Sequence, residues 1–204
     1  MIVPSMNLEE IRKEINKDFP ILSRKVHYVE KDLRKKLTKH QRSEGFTKFF
    51  DYNSKYKNHW ICKIQYAKKE EYSAMMLLYH TGKSHAAILV ASEFEMLYHT
   101  SHFFMRYNER RNLGLVTFKD IIHVYLQESD VYNFQRLTKK DEGVTTFFGS
   151  IPSGVVMGTY NEALNLYKMN TYLPNGMLSH NQNDRLTRLN EGIGKYIESS
   201  GQLT

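Results

Sequence analysis

Residues 60–91, WICKIQYAKKEEYSAMMLLYHTGKSHAAILVA, carry the pattern that decides the fold class. Trp60, Cys62, Ile64 and Tyr66 recur at every second position, the period of a strand with one buried face. Two apolar runs follow, 74–80 and 85–91, joined by Thr81-Gly82-Lys83-Ser84, a short link containing a turn glycine. Strands joined this tightly pair antiparallel, because a parallel pair needs a crossover of about a dozen residues or more.

Beyond this hairpin, residues 93–99 add a short strand and the period then becomes helical. Ser101 caps a helix running through Arg111, with Gly114 past its end. Thr117 opens a second helix, from Phe118 to about Glu128, whose buried stripe is Phe118, Ile121, Ile122 and Tyr125; Asp120 stands where a capping box usually has Glu. Strands return at 144–148, 155–160 and 164–173, with Gly149 and Gly154 read as bulge and hairpin-turn residues. A polar helix interrupted by Gly192 and Gly194 closes the chain at 176–199.

Toward the N-terminus, Asn7 caps a helix over 7–18 that Phe19-Pro20 closes, and a strongly basic helix spans 30–43. Strands and helices in groups, not in alternation, mean α+β rather than α/β. The expectation is a mostly antiparallel sheet with helices packed on one face. Residues 1–55 form a helical N-terminal extension, 56–204 an α+β domain in a single compact unit, and a helix ends it.

Composition narrows the function classes. The hydrophobic fraction of 41% is enough for a real core. No apolar run approaches the ~20 residues that cross a bilayer as a helix, so no membrane partner is expected. The N-terminus lacks the basic and apolar regions of a signal peptide, and Cys62 is the single cysteine. No intrachain disulfide can form, and a cytoplasmic setting is expected. Lys and Arg exceed Asp and Glu by 29 to 22, a net charge of +7. Such a surface attracts polyanions, which makes RNA or another polyanion the expected partner, with a protein partner as the other possibility.

The strongest chemical signal is residues 98–111, YHTSHFFMRYNERR. Residues four apart share a helix face, so His102, Arg106 and Arg110 make one polar column with Glu109 near it, while Phe103, Phe104 and Tyr107 point to a sheet. Arginine grips a phosphate with a fork of donors, and histidine exchanges protons near neutral pH. RNA cleavage needs a base for the 2′-hydroxyl, an acid for the leaving oxygen, and cations on the phosphorus centre. His102, Arg106 and Arg110 are therefore the catalytic candidates. On the strand at 167–172, Lys168, Asn170 and Tyr172 share one face, so Lys168 and Tyr172 join Glu109 as substrate-contacting candidates.

His102-Phe-Phe-Met-Arg106-Tyr-Asn-Glu-Arg110, followed by a capped helix starting Thr117-Phe-Lys-Asp, resembles small proteins of the RelE/BrnT-like toxin superfamily over about residues 95–175. The resemblance implies a His-x3-Arg-x3-Arg helix, a short loop, a second helix and then antiparallel strands, with His102, Arg106 and Arg110 on the matching helix of a ribonuclease-type fold. This chain differs in the strands before the motif, the long connection after Glu128 and the added C-terminal helix.

Other motifs carry less. His80, His85, His99 and His102 lack a spaced metal signature, so no metal and no cofactor is expected. The glycines at 149, 154 and 158 precede a strand pattern and so form no phosphate cradle. Asn175 and residues 179–182 form a polar turn-to-helix region that either contacts a ligand or, as is more usual for such a run, is a solvated cap. The basic run from Arg34 to Arg42, with Arg24 and Lys25 before it, is either a backbone clamp or a solvated helix. Two functions remain: a metal-independent ribonuclease-like protein, or a non-catalytic basic module that binds nucleic acid or protein.

Overall fold

The computed structural model describes residues 1–67, 70–91, 95–129, 133–138 and 145–201. The chain is α+β and forms two units, Met1–Ser101 and His102–Thr204. Of the long connection expected after Glu128, residues 130–132 and 139–144 lie outside the described residues.

The first unit contains α1 (Leu8–Lys36), α2 (Lys39–Glu44) and strands β1 (Phe46–Asn53), β2 (His59–Ala67), β3 (Glu70–His80), β4 (His85–Val90) and β5 (Met96–His99). Each strand pairs antiparallel with the next, and His80 faces His85 across the four-residue turn where Gly82 takes a φ of 86°. Residues 1–55, expected to be helical, also contain β1.

The expected break at Phe19-Pro20 is absent: Pro20 lies inside a 29-residue α1. Pro20 is on the exposed side of the helix, where the ring and the lost N–H disturb no packing. The buried stripe of Ile11, Ile15, Leu22, Val26 and Leu33 continues past it. That stripe lies along β2. Asp18 Oδ2 accepts from Trp60 Nε1 at 3.0 Å and from Asn58 Nδ2 at 2.7 Å, and Tyr66 Oη donates to the Glu30 carbonyl at 2.9 Å. Asp18 to Glu30 is ~18 Å of helix, and Trp60 to Tyr66 is ~20 Å of strand, so the two run side by side at matched lengths.

The second unit contains α3 (Ser101–Arg110), α4 (Phe118–Glu128), β6 (Asn133–Thr138), β7 (Thr145–Ile151), β8 (Gly154–Asn161), β9 (Leu166–Pro174), a 3₁₀ turn (Asn175–Met177) and α5 (His180–Gly201). Strands β6 to β9 pair antiparallel in chain order. β6 was not foreseen. α5 is continuous through Gly192 and Gly194, which the sequence suggested would interrupt it. The Tyr107 ring meets Tyr172 on one face of the sheet, and Arg185 of α5 lies over Phe148 on the other. This unit's helices therefore lie on both faces rather than one.

The bulge falls between Met157 and Gly158, not at Gly149. A Cβ on Gly149 would stand 2.5 Å from the Phe134 ring, so this glycine makes room for an aromatic packed flat on the strand.

Candidate functional site

α3 is fixed by its aromatic side. Phe103, Phe104 and Tyr107 are fully buried, and each meets Tyr125 of α4 edge-to-face with centroids 5.2–5.5 Å apart. Asn112, at φ 52°, ends the helix in a Schellman closure: Leu113 N donates to Asn108 O at 3.1 Å and Asn112 N to Glu109 O at 3.0 Å. Asn112 thus does the work expected of Gly114. Thr117 caps α4 as read, its Oγ1 accepting from Asp120 N at 3.1 Å.

The polar column has the expected helical placement, but its members do different things. His102 is exposed on the first turn. Arg106 Nη1 donates to Glu109 Oε2 at 2.9 Å, an ion pair along the helix surface. Arg110 turns to β9, where its Nη1 donates to the Tyr172 carbonyl and reaches Thr171 Oγ1 at 3.4 Å. Arg110 is therefore anchored to backbone, and the phosphate role expected of it would first require release of that bond.

Lys168 and Tyr172 do not share a face. Lys168 pairs with Thr159 and Tyr172 with Val156, and the bulge between these rungs reverses the alternation. Lys168 is exposed, while Tyr172 is fully buried with its hydroxyl donating to Ser153 O at 2.7 Å. A period-two reading cannot detect a bulge, so it placed them together.

Beside Tyr172 lies a polar knot: Tyr107 Oη donates to Glu128 Oε2 at 2.5 Å and Arg111 Nη2 to Glu128 Oε1 at 2.7 Å. Burial, reinforced by the bond to Glu128, raises the Tyr107 pKa; the bond to Glu128 raises that of Arg111. Both groups hold their protons at neutral pH and tie α3 to α4. Burial pushes the Cys62 thiol to about 12, which removes it as a nucleophile. His99 is wholly buried in β5, and burial lowers its pKa to about 3. Among the described residues, no group of three or more His, Cys, Asp or Glu is placed to hold a metal ion.

The surface that sequence reading missed lies on β6, β7, β8 and β9. The Arg136 guanidinium is 3.8 Å above the centre of the Tyr160 ring, and its Nε donates to Tyr167 Oη at 2.9 Å. Phe134 stacks on Tyr167 at 4.4 Å and 21°, and Phe147 meets both rings edge-on. Arg136 is exposed, Phe134 and Tyr160 are half-buried, and Tyr167 and Phe147 form the floor. These residues come from four strands, so no window of sequence shows them together. The one available signal was alternation in β6, at Phe134 and Arg136.

Charge divides unevenly. Residues 1–101 hold 18 Lys and Arg against 12 Asp and Glu, and residues 102–204 hold 11 against 10. On α1, Arg34 pairs with Glu71 and Lys36 with Asp32, while Arg24, Lys25 and Lys35 are exposed. Long-range attraction to polyanions belongs to the first unit.

The elements define a class, an α+β chain of two antiparallel-sheet units. No family model, curated protein or solved structure matches it. Among the described residues, no helix is long and apolar enough to cross a membrane.

Proposed function

We propose that this chain is a non-catalytic module that binds single-stranded RNA, with a base stacked on the Arg136–Tyr160 platform. The observation that carries the reading is the exposed Arg136 guanidinium, 3.8 Å over the centre of the Tyr160 ring and bound to Tyr167 Oη. Proteins that bind single-stranded RNA stack unpaired bases on aromatic rings and guanidinium planes, and a plane already held in place loses little freedom on binding. The exposed Arg24, Lys25 and Lys35 of α1 supply a surface for backbone phosphates on the first unit.

A ribonuclease is the second reading. The order α3, short loop, α4 and then four antiparallel strands matches what the RelE/BrnT-like resemblance implies, and His102 is exposed on α3. Against it, Arg106 is paired with Glu109 and Arg110 is bound to the Tyr172 carbonyl, so neither cation is presented unpartnered to a phosphate.

Fluorescence anisotropy with a labelled single-stranded RNA tests the first reading. One stacked base contributes about 1–3 kcal/mol, so Arg136→Ala and Tyr160→Ala should each weaken binding by roughly 5- to 150-fold. Undiminished affinity in both variants would remove the platform from the account. Incubation of the same RNA with the parent protein and His102→Ala separates the readings: cleavage lost in the variant favours the enzyme, and intact RNA favours the binding module.

A further inference from the structure

We infer that the second unit contains a separate pocket for one uncharged nucleobase, free or as its nucleoside. It is a cleft of about 270 Å³ where α5 meets the β7–β8 end of the sheet. Asn133 at the start of β6, Ser150 on β7, Asn175 on the 3₁₀ turn and Asn190 on α5 converge on it from four elements. Pro152 on the turn and Leu186 on α5 add apolar surface.

Among the described residues, none of these four polar side chains has a hydrogen-bond partner, although Ser150 is buried at 8% exposure. Asn175 and Asn190 are exposed and Asn133 is half-buried, so these amides are met by water, and a cleft that gathers three amides and a hydroxyl with no partner inside the protein is suited to a ligand that replaces that water. The hydroxyl of Ser153 on the adjoining turn is likewise buried without a partner.

The lining decides the ligand's chemistry. Among the described residues it contains no charged side chain, so nothing in that lining neutralises a phosphate or a carboxylate. Each asparagine presents one donor and one acceptor side by side, the arrangement that pairs with the edge of a base, while Pro152 and Leu186 offer surface to its faces. The volume lies just under the range of about 300–1,000 Å³ for drug-sized ligands, which admits one base or nucleoside and no oligonucleotide.

This site is distinct from the Arg136 platform. Asn133 and Phe134 are neighbours on β6 and point to opposite faces of the sheet, as do Phe147 and Ser150 on β7. The inference therefore does not rest on the RNA reading.

Titration of the full chain with adenosine, guanosine, cytidine and uridine, followed by amide NMR shifts, tests it; ribose and the 5′-monophosphates serve as controls. At least one nucleoside should shift the amides of Ser150, Ile151, Ser153 and residues 186–190, its monophosphate should bind no tighter, and ribose should not bind. Asn133→Ala and Asn190→Ala should each weaken binding about three- to tenfold, the loss of one or two hydrogen bonds. Asn190 is exposed on α5, so its variant should fold. Arg136→Ala should leave nucleoside binding unchanged. No binding by any nucleoside, tighter binding of the monophosphate, or loss in Arg136→Ala with the asparagine variants intact would each overturn the pocket. The RNA reading would stand in the first case.

Discussion

Lowering the pH from 7 to 5 should destabilise this protein through His99. The ring is fully buried in β5, and burial depresses its pKa to about 3, a pull only partly opposed by the backbone of Leu97 and Ala87. In the unfolded chain the same imidazole titrates near 6.5. Between these values the unfolded state binds a proton that the folded state refuses, so stability is full above the unfolded pKa and falls as pH drops below it. Evaluating the linkage at both ends gives a loss of about 2 kcal/mol between pH 7 and pH 5, and for a chain of this size a fall in Tm of about 4–8 °C. The assay is urea denaturation at both pH values for the parent chain and for His99→Gln, which cannot titrate. Carboxylates contribute equally to both chains, so the difference between their pH dependences isolates the histidine. The variant should lose about 2 kcal/mol of pH dependence whatever its absolute stability. Identical pH dependences in the two chains would refute the assignment of a neutral buried imidazole.

Two further outcomes follow from packing. A Cβ on Gly158 would lie 1.8 Å from the Lys168 carbonyl and 2.9 Å from the Phe147 ring, so Gly158→Ala must push β8 from β9 at the bulge; a loss of about 3 kcal/mol or more is expected in urea denaturation, and an unchanged midpoint would contradict the register. Asp18→Ala leaves the buried Asn58 and Trp60 donors without their acceptor, a loss of about 2–4 kcal/mol, whereas Asp18→Asn, which keeps an acceptor oxygen, should lose less; equal losses would show that the carboxamide oxygen cannot replace the carboxylate.

Periodicity made most of the fold legible. Trp60, Cys62, Ile64 and Tyr66 do face α1, the 81–84 turn does join two paired strands, and Thr117 does cap α4. Readings that assumed local rules without tertiary context failed. Proline ends helices by default, yet Pro20 sits in α1 because the ring faces outward while the stripe on either side is held by β2. Alternation assigned Lys168 and Tyr172 to one face, and an inserted residue separated them. The His102–Arg106–Arg110 column was legible because a helix has a fixed period. What that period cannot give is the partner of each side chain: Glu109 for Arg106, and a strand carbonyl for Arg110. The Arg136 platform and the asparagine cleft are assembled from strands and turns distant in sequence, and nothing in any one segment announces them.

The most direct test of the RNA-binding account is cross-linking of a 4-thiouridine-substituted single-stranded RNA to the full chain, with the modified residues located by mass spectrometry. Adducts on the β6 and β8 segments that carry Phe134, Arg136 and Tyr160, lost when Arg136 is replaced by alanine, are the expected result. Adducts confined to other segments, and unaffected by that replacement, would contradict it.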